Sequence, residues 1–256
     1  MNDNNVLLVP DTHGRDFWRE PVFQFLNETD GKIIFLGDYV DPYPNDFEEG
    51  SDYRLKAFLD LNEIVALKDN NINRITLLLG NHDCGYIYGT SVCECRMDYK
   101  KYDAINKVFT SLSDLFQFAD ECVIGDKHFI FSHAGILKSY ATAVFGDDVN
   151  EENIVKKVND AYHENDVNFI ESLKWYDNYR GYLGVDNPSL IWGDVRTWLD
   201  LNADGDKNPG IGYNVFGHTK LVKNSPCIPG DGFTMIDTQN CYVIDNDGIL
   251  KKYKKI

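Results

Sequence analysis

An α/β fold is predicted for this chain of 256 residues because segments with strand and helix patterns alternate along it. Short apolar runs of strand length recur, and several are continuous rather than alternating, which is typical of strands buried on both faces. Hydrophobic residues make up 43% of the chain, which is enough for one sizeable core. The runs are residues 6–9, 33–36, 75–79, 129–131, 215–216, 234–236 and 242–244.

Three segments between these runs predict helices. One begins with a cap at Ser51 and extends to about Lys68; the others are residues 98–118 and, with an interruption, residues 151–175. The late runs, between residues 234 and 253, follow one another without a helix, so we expect them to form an antiparallel ladder. Because no repeat or flexible linker is visible, we predict a single domain over residues 1–256, with a possible helical cap at about 150–180.

The net charge and the hydropathy of the chain limit the classes of molecule that it is expected to bind. The formal net charge of −16 disfavours a nucleic acid polymer, but it allows a small phosphorylated substrate if bound cations reverse the local sign. The sequence contains no apolar run of about 18 residues, so we expect no membrane partner. The first five residues lack the basic start of a signal peptide, and six cysteines suit a reducing compartment, so we expect a cytoplasmic location.

Six short motifs place polar side chains just past apolar runs or in nearby loops. In open α/β sheets, ligands bind at the carboxyl ends of the strands. Four of the six histidines of the chain occur in these motifs. The motifs are Asp11-Thr12-His13, Gly37-Asp38-Tyr39-Val40-Asp41, Gly80-Asn81-His82-Asp83, Ser132-His133-Ala134-Gly135, Trp192-Gly193-Asp194 and Gly217-His218-Thr219.

The motif side chains offer ligands for two divalent ions, since carboxylate, amide oxygen and imidazole groups bind hard or borderline metals. Asp11 and His13 could hold one ion, and Asp38 could bridge it to a second. The second ion would take its other ligands from later motifs, namely Asn81, His133 and His218. Two such ions would hold a shared hydroxide that attacks phosphorus, which indicates the hydrolysis of a phosphate ester.

A proton donor for the leaving oxygen is also present. His82 adjoins Asn81 but points differently on such a turn, so it is the candidate general acid rather than a ligand. A protonated imidazole needs an acceptor to orient it, and either Asp41 or Asp83 could serve. For phosphate binding we expect Asn81 and Arg196, the latter because it follows the Trp192-Gly193-Asp194 motif; Arg15 and Arg180 are weaker candidates.

These motifs resemble those of the calcineurin-like metallophosphoesterase superfamily, and more narrowly its phosphoprotein phosphatase branch, whose bacterial and phage relatives include symmetrical diadenosine tetraphosphate hydrolases. The resemblance covers most of the chain, from Asp11 to His218. It implies a four-layer βαβα sandwich with two mixed β-sheets and a dinuclear metal site at the strand ends.

The resemblance also implies the roles of individual residues. One metal takes Asp11, His13 and Asp38, and the other takes Asp38 together with three later ligands. The ions usual for the family are manganese, iron or zinc. The acid is His82, paired with Asp41, which selects Asp41 over Asp83 as the orienting group. The later ligands are Asn81, His133 and His218.

Three positions differ from the family pattern. Pro42 stands where the family has an arginine that contacts phosphate, Asp83 replaces a glutamate, and Ala134 replaces a glycine. The missing guanidinium removes a charge-assisted contact to phosphate. The loss of this contact therefore counts against phosphorylated proteins as substrates.

The predicted function is metal-dependent hydrolysis of a phosphomonoester, most like that of a serine/threonine protein phosphatase, with a phosphorylated protein or a small phosphate ester as the partner. A second hypothesis is a nucleotide hydrolase that acts on dinucleoside polyphosphates or cyclic phosphodiesters. A third is a scaffold without catalytic activity, which would be expected to lose ligands or the acid, and all of these are present.

Overall fold

Two mixed β-sheets with helices between their strands confirm the predicted α/β class. The computed structural model describes residues 5–180 and 184–253. The chain divides into a first unit, Met1–Phe116 with Gln239–Ile256, and a second unit, Gln117–Thr238. The prediction of one domain with a helical cap stays a prediction. Four of the five N-terminal residues used in predicting the location lie outside the described residues.

The first unit contains the six-stranded sheet, in the order β11-β10-β1-β2-β3-β4. β1, β2 and β3 are parallel, whereas β10 and β11 run antiparallel to their neighbours. The carboxyl ends of the three parallel strands therefore lie along one edge. The strands are β1 (Val6–Val9), β2 (Lys32–Phe35), β3 (Ile75–Leu78), β4 (Phe116–Gln117), β10 (Tyr242–Ile244) and β11 (Leu250–Lys252).

Four α-helices belong to the first unit: α1 (Arg19–Glu28), α2 (Tyr53–Asn70), α3 (Asn81–Tyr88) and α4 (Tyr102–Ser111). The cap predicted at Ser51 is wrong by one residue, because the Asp52 side chain accepts the hydrogen bond from Leu55 N at 2.9 Å. The helix predicted over residues 98–118 is shorter, since a 3-10 turn at Ser113–Leu115 and β4 follow α4. Apolar residues alone could not separate a helix end from a buried strand.

The second unit contains a five-stranded sheet in the order β5-β6-β7-β9-β8. β6, β7 and β9 are parallel, and β5 and β8 pair antiparallel at the two edges. The strands are β5 (Ala119–Ile124), β6 (Lys127–Ser132), β7 (Tyr213–Phe216), β8 (Ile228–Gly230) and β9 (Phe233–Met235). The expected late ladder is partly wrong: β10 and β11 form it, but β9 belongs to this other sheet.

The helices of the second unit are α5 (Lys138–Phe145), α6 (Ile154–His163), α7 (Val167–Ser172) and α8 (Val195–Ala203). The interrupted helix predicted at 151–175 corresponds to α6 and α7. Both contact the start of β5, because Phe118 meets the rings of Tyr162 and Phe169 at 5.2 and 5.1 Å between centroids. None of the helices in the described ranges combines the length and the apolarity that crossing a bilayer would require.

One buried carboxylate, Asp60, lies in the middle of α2. Its side chain accepts a hydrogen bond from Trp18 Nε1 at 3.2 Å and pairs with Arg19 at 2.9 Å. Burial raises the pKa of Asp60 to about 7, against the opposing effect of Arg19. The unfolded chain releases this proton near pH 4. Between those two pH values the folded state binds more protons, so this group lowers stability as pH rises.

We therefore predict that Asp60→Asn becomes more favourable, relative to the wild type, as pH rises from about 4 to about 7, because the variant has no buried carboxyl to ionise. Urea denaturation at several pH values in this window measures the difference in the free energy of unfolding. Asp69→Asn, an exposed position on the same helix, is the matched control and should show no such trend. Parallel pH profiles for the wild type and Asp60→Asn would contradict the assignment.

Candidate functional site

Four predicted metal ligands lie at the carboxyl ends of parallel strands in the first unit. Asp11 and His13 follow β1, Asp38 follows β2, and Asn81 begins α3 just after β3. All four are at most 2% exposed. Polar groups are buried to this extent only when other groups satisfy them. The parallel register of β1, β2 and β3 therefore places the predicted ligands of this unit at one sheet edge.

The imidazole of His13 is oriented as a metal ligand requires. Its Nδ1 lies 2.6 Å from the carbonyl oxygen of Val40, so this nitrogen carries the proton and donates it. Nε2 then presents its lone pair, and it lies 3.5 Å from Asp38 Oδ2. Burial lowers the pKa of His13 well below its ordinary value, although Asp38 opposes this effect, so the ring is neutral. A second hydrogen bond that fixes the tautomer is the usual arrangement of metal-bound histidine.

Asp83 joins the loops that follow β2 and β3. Its carboxylate accepts hydrogen bonds from the backbone amides of Asp38 at 2.7 Å, Gly80 at 2.9 Å and Tyr39 at 3.1 Å. It is fully buried. The residue that replaces the family glutamate therefore holds the Asp38 loop in place, and Asp83 is not the group that orients His82.

Glycine is required where these two loops approach each other. A Cβ added to Gly80 would lie 2.2 Å from Asp38 Oδ1, and one added to Gly37 would lie 2.5 Å from the Gly80 nitrogen. Asp38 Oδ1 also accepts the backbone N–H of His82 at 3.0 Å. The conformation of Asp38 is thus set from both sides by the loop that carries Asn81 and His82.

His82 contacts Asp41, the acceptor that the resemblance implies. His82 Nδ1 lies 2.8 Å from Asp41 Oδ2, and the hydroxyl of Tyr86 donates to Asp41 Oδ1 at 2.6 Å. Burial would lower the pKa of His82, but the Asp38 and Asp41 carboxylates raise it well above its ordinary value. This direction suits a group that gives up a proton near neutral pH.

Arg96 was not anticipated by sequence analysis. Its Nη2 lies 3.1 Å from His82 Nε2, and its Nε donates to the carbonyl oxygen of Asp41 at 3.0 Å. The residue belongs to the loop between α3 and α4, which contains no motif. Tyr86, which donates to Asp41, and Tyr43, on which Arg96 stacks, were also missed. Only their proximity in sequence to the second and third motifs could have indicated them.

Two predicted ligands lie side by side in the second unit. His133 follows β6 and His218 follows β7, its parallel neighbour, and His133 Nε2 lies 3.0 Å from His218 Nδ1. Both residues are buried, and the ring of Trp192 meets that of His218 edge to face at 5.6 Å. The strand order of this sheet therefore pairs two imidazoles that are 85 residues apart in sequence.

Asp194 pairs with two candidate phosphate-binding arginines, Arg196, which was predicted near its motif, and the weaker candidate Arg180. Arg180 Nε lies 2.8 Å from Asp194 Oδ2, and Arg196 Nε lies 2.8 Å from Oδ1. Burial would raise the pKa of Asp194, but hydrogen bonds from Arg196 and the charge of Arg180 lower it below its ordinary range. The guanidinium of Arg196, which also stacks on Tyr179, is thus held by a carboxylate. Arg15 is similarly held by Asp46 at 3.1 Å.

Backbone strain is concentrated at the predicted site residues. In the described parts of the chain, eight residues other than glycine have positive φ. Left-handed conformations of such residues cost free energy and persist where the surrounding structure enforces them, often at functional sites. Four of the eight are predicted site residues, His13, Asp38, Asp41 and His218, and a fifth is Arg96, which contacts His82.

Each unit thus presents side chains that fit a divalent cation. In the first unit, His13, Asp38 and His82 have ligand-type atoms within 4.8 Å of one another. Both ring nitrogens of His82 already contact other groups, whereas His13 Nε2 faces Asp38. A set of neutral imidazole and buried carboxylate groups suits a borderline divalent metal.

Comparison with known proteins supports this chemistry. The family model of calcineurin-like phosphoesterases matches residues 5–221. The serine/threonine-protein phosphatase PP2A-like PPG1 of Saccharomyces cerevisiae (strain S288c) is 28% identical over 189 residues, which are 72% of this chain and 44% of that protein. The chain therefore spans less than half the length of this curated relative.

A similar fold is also found among solved structures. The structure of a protein serine/threonine phosphatase from Saccharomyces cerevisiae, described as similar to human phosphatase PP5, matches with a TM-score of 0.50 and 16% identity. The match covers 100% of this chain and 81% of that one. At this identity the likeness concerns the fold alone.

We predict that Asp83→Asn destabilises the fold and weakens metal binding, because the amide has one acceptor oxygen in place of two and its NH2 group would face at least one of the three backbone N–H donors. The expected loss in the free energy of unfolding is about 2–3 kcal/mol. Urea denaturation and elemental analysis measure the two effects. Asp103→Asn, at an exposed position on α4, is the control. Unchanged stability in Asp83→Asn would show that the three hydrogen bonds do not hold the loops.

Proposed function

Because the chain belongs to the calcineurin-like phosphoesterase family, we propose that it is a metal-dependent phosphatase that hydrolyses phosphomonoesters. The observation that carries this proposal is the group of buried ligand-type side chains at the ends of β1, β2 and β3, with the His82–Asp41 pair beside it. Burying these polar and ionisable side chains costs folding free energy, and a protein with a purely structural role would gain nothing in return.

Two divalent ions, manganese, iron or zinc, are proposed as cofactors. The family match includes every predicted ligand, and the orientation of His13 in the first unit and the His133–His218 pair in the second support their use. When bound, such ions supply Lewis acidity towards phosphoryl oxygens and an activated water. The residues that would hold them are Asp11, His13, Asp38, Asn81, His133 and His218.

His82 is proposed as the general acid. It would give the proton on Nε2 to the leaving oxygen, while Asp41 accepts the hydrogen bond from Nδ1 and keeps the ring in place. Tyr86 in turn orients Asp41 through its hydroxyl. Asn81 and Arg196 remain proposed contacts of the substrate, although Arg196 would have to share its guanidinium with Asp194.

The substrate class that we favour is a phosphorylated serine or threonine in a protein, by similarity to the curated phosphatase relative, with a small phosphate ester as the simpler possibility. We propose a cytoplasmic location, which the composition suggested and which cell fractionation would test. A nucleotide hydrolase is the alternative, because Pro42 removes the arginine that the phosphatase branch uses.

A panel of phosphopeptides, aryl phosphates, dinucleoside polyphosphates and cyclic phosphodiesters, assayed with added manganese, tests the proposal. We expect turnover of the phosphomonoesters and its loss on chelation of the metal. Turnover only of dinucleotides or cyclic diesters would replace this substrate class with the alternative. A pure protein that binds no metal and turns over none of these compounds would indicate a scaffold.

We predict that His82→Ala keeps nearly normal metal content but slows turnover by about 10²–10⁴-fold, the usual contribution of a general acid. Asp38→Ala should instead lose or weaken both ions, because its carboxylate is the proposed bridge. Elemental analysis and an aryl phosphate assay separate the two effects. His163→Ala, on α6, has no proposed role and is the control. Metal loss in His82→Ala would mean that His82 is a ligand.

A further inference from the structure

The guanidinium of Arg96 lies where a phosphate group would meet the candidate acid. Its Nη2 contacts His82 Nε2, the atom from which the proton would be delivered, at 3.1 Å. A guanidinium can only donate hydrogen bonds, so in this contact Nε2 is the acceptor and carries no proton. The acid form of His82, with a proton on Nε2, therefore requires the guanidinium to leave this nitrogen. An oxygen of a bound phosphate ester would compete for both groups.

Two contacts hold the side chain at this position. The Cζ atom of Arg96 lies 3.7 Å from the centre of the Tyr43 ring, close enough for a cation–π interaction, and its Nε donates to the carbonyl oxygen of Asp41. The Tyr43 ring meets the ring of His13 edge to face at 5.1 Å. Arg96 is therefore fixed through the same short segment that carries Asp41 and Pro42, beside a predicted metal ligand.

The backbone of Arg96 is strained, with a φ of 61°. This conformation costs free energy in a residue with a Cβ, so the surrounding loop must enforce it. His13, Asp38 and Asp41 share the same unusual region of φ. Arg96 thus belongs, by its backbone as well as by its contacts, to the group of residues that form the site of the first unit.

Arg96 also differs from most of the described arginines in its partners; Arg74 is the other one without a carboxylate, and it donates to backbone carbonyls. Arg15 pairs with Asp46, and Arg180 and Arg196 pair with Asp194. Within residues 5–180 and 184–253, Arg96 forms no ion pair with a carboxylate; its acceptors are a backbone carbonyl, an imidazole nitrogen and the Cys95 sulfur. None of these acceptors is charged. A phosphate dianion would offer a much stronger, charge-assisted partner.

We propose that Arg96 binds the phosphate group of the substrate and supplies the guanidinium contact that Pro42 cannot. The planar guanidinium would leave His82 Nε2 and donate to two phosphate oxygens while it stays stacked on Tyr43. The preferred ligand is a phosphomonoester, because its dianion gains more from an added positive charge than a diester monoanion does. This inference rests on the proposed phosphatase function and narrows its substrate class.

The test compares Arg96→Ala and Arg96→Lys with the wild type. For an aryl phosphomonoester we expect Arg96→Ala to raise KM by about 10–100-fold, the range for a lost charge-assisted pair, with a smaller change in kcat. The bis-aryl phosphodiester should be affected less. Arg96→Lys should restore part of the affinity, because it returns the charge without the bidentate geometry.

Binding of inorganic phosphate to the metal-loaded protein, measured by calorimetry, gives a readout that does not depend on turnover. We expect it to weaken in Arg96→Ala by a similar factor, at unchanged metal content. The matched control is Arg54→Ala, which removes a guanidinium that contacts the same loop at the Met97 carbonyl and Asp98. This control should retain the wild-type KM and the wild-type affinity for phosphate.

Equal phosphate affinity and KM in the wild type and Arg96→Ala would overturn the role of Arg96 and leave the phosphatase proposal in place. Loss of metal in Arg96→Ala, or an equal effect of Arg54→Ala, would overturn it in favour of a structural role for the loop. A wild-type protein that binds no phosphate would also overturn it. If that protein turned over none of the phosphate esters either, the proposed function itself would fail.

Discussion

The carboxylate of Asp83 is the constraint on which the candidate site of the first unit depends. Its three hydrogen bonds to backbone amides join the loops after β2 and β3, which approach so closely that Gly37 and Gly80 leave no room for a side chain. Without this anchor, nothing in the β strands themselves would hold Asp38 in a left-handed conformation. The same loops place His82 beside Asp41. A fully buried residue that could not contact a substrate thus determines the geometry of those that can.

Strain and burial together distinguish the candidate site from the rest of the chain. Buried carboxylates and left-handed residues each cost folding free energy. The sheet compensates for this cost, since β1, β2 and β3 are apolar strands at most 8% exposed apart from Lys32, which opens β2. The rigidity of these strands also explains how short loops can position His13 without an extended hydrogen-bond network. The ring bonds to Val40 and the backbone N–H of His13 donates to the Asp38 carbonyl oxygen at 2.8 Å, and both acceptors belong to the loop that follows β2.

Sequence analysis located the seven strands that are apolar runs, because such a run is a local signal, but it missed β4, β5 and β8, which are short or contain polar residues. It predicted the pairing of late strands less well, because membership of one sheet or another is decided by contacts far apart in sequence: β9 pairs with β7, while β10 pairs with β1. The cap at Asp52 rather than Ser51 was a choice between adjacent residues with similar propensity. Asp41 as the partner of His82 followed from the resemblance, not from spacing. The role proposed for Arg96 could not have been predicted from the sequence, because Arg96 lies outside every motif. A motif shows which residue is missing at a position, here the arginine at Pro42, but not which distant loop can supply the same charge.

The position of Arg96 illustrates how a charge requirement can be met by a different part of the chain. Pro42 is buried and cannot donate, yet the next residue, Tyr43, offers an aromatic face on which a guanidinium from a loop 53 residues later stacks. The chain has a net charge of −16, so carboxylates outnumber cationic side chains. An arginine that lacks a carboxylate partner in such a chain is therefore well suited to bind an anionic ligand. Arg15, Arg180 and Arg196 pair with aspartates, whereas Arg74, which like Arg96 has no carboxylate partner among the described residues, donates to backbone carbonyls only. The loss of the family arginine therefore need not imply a loss of phosphate recognition, because the charge has been supplied from the loop between α3 and α4.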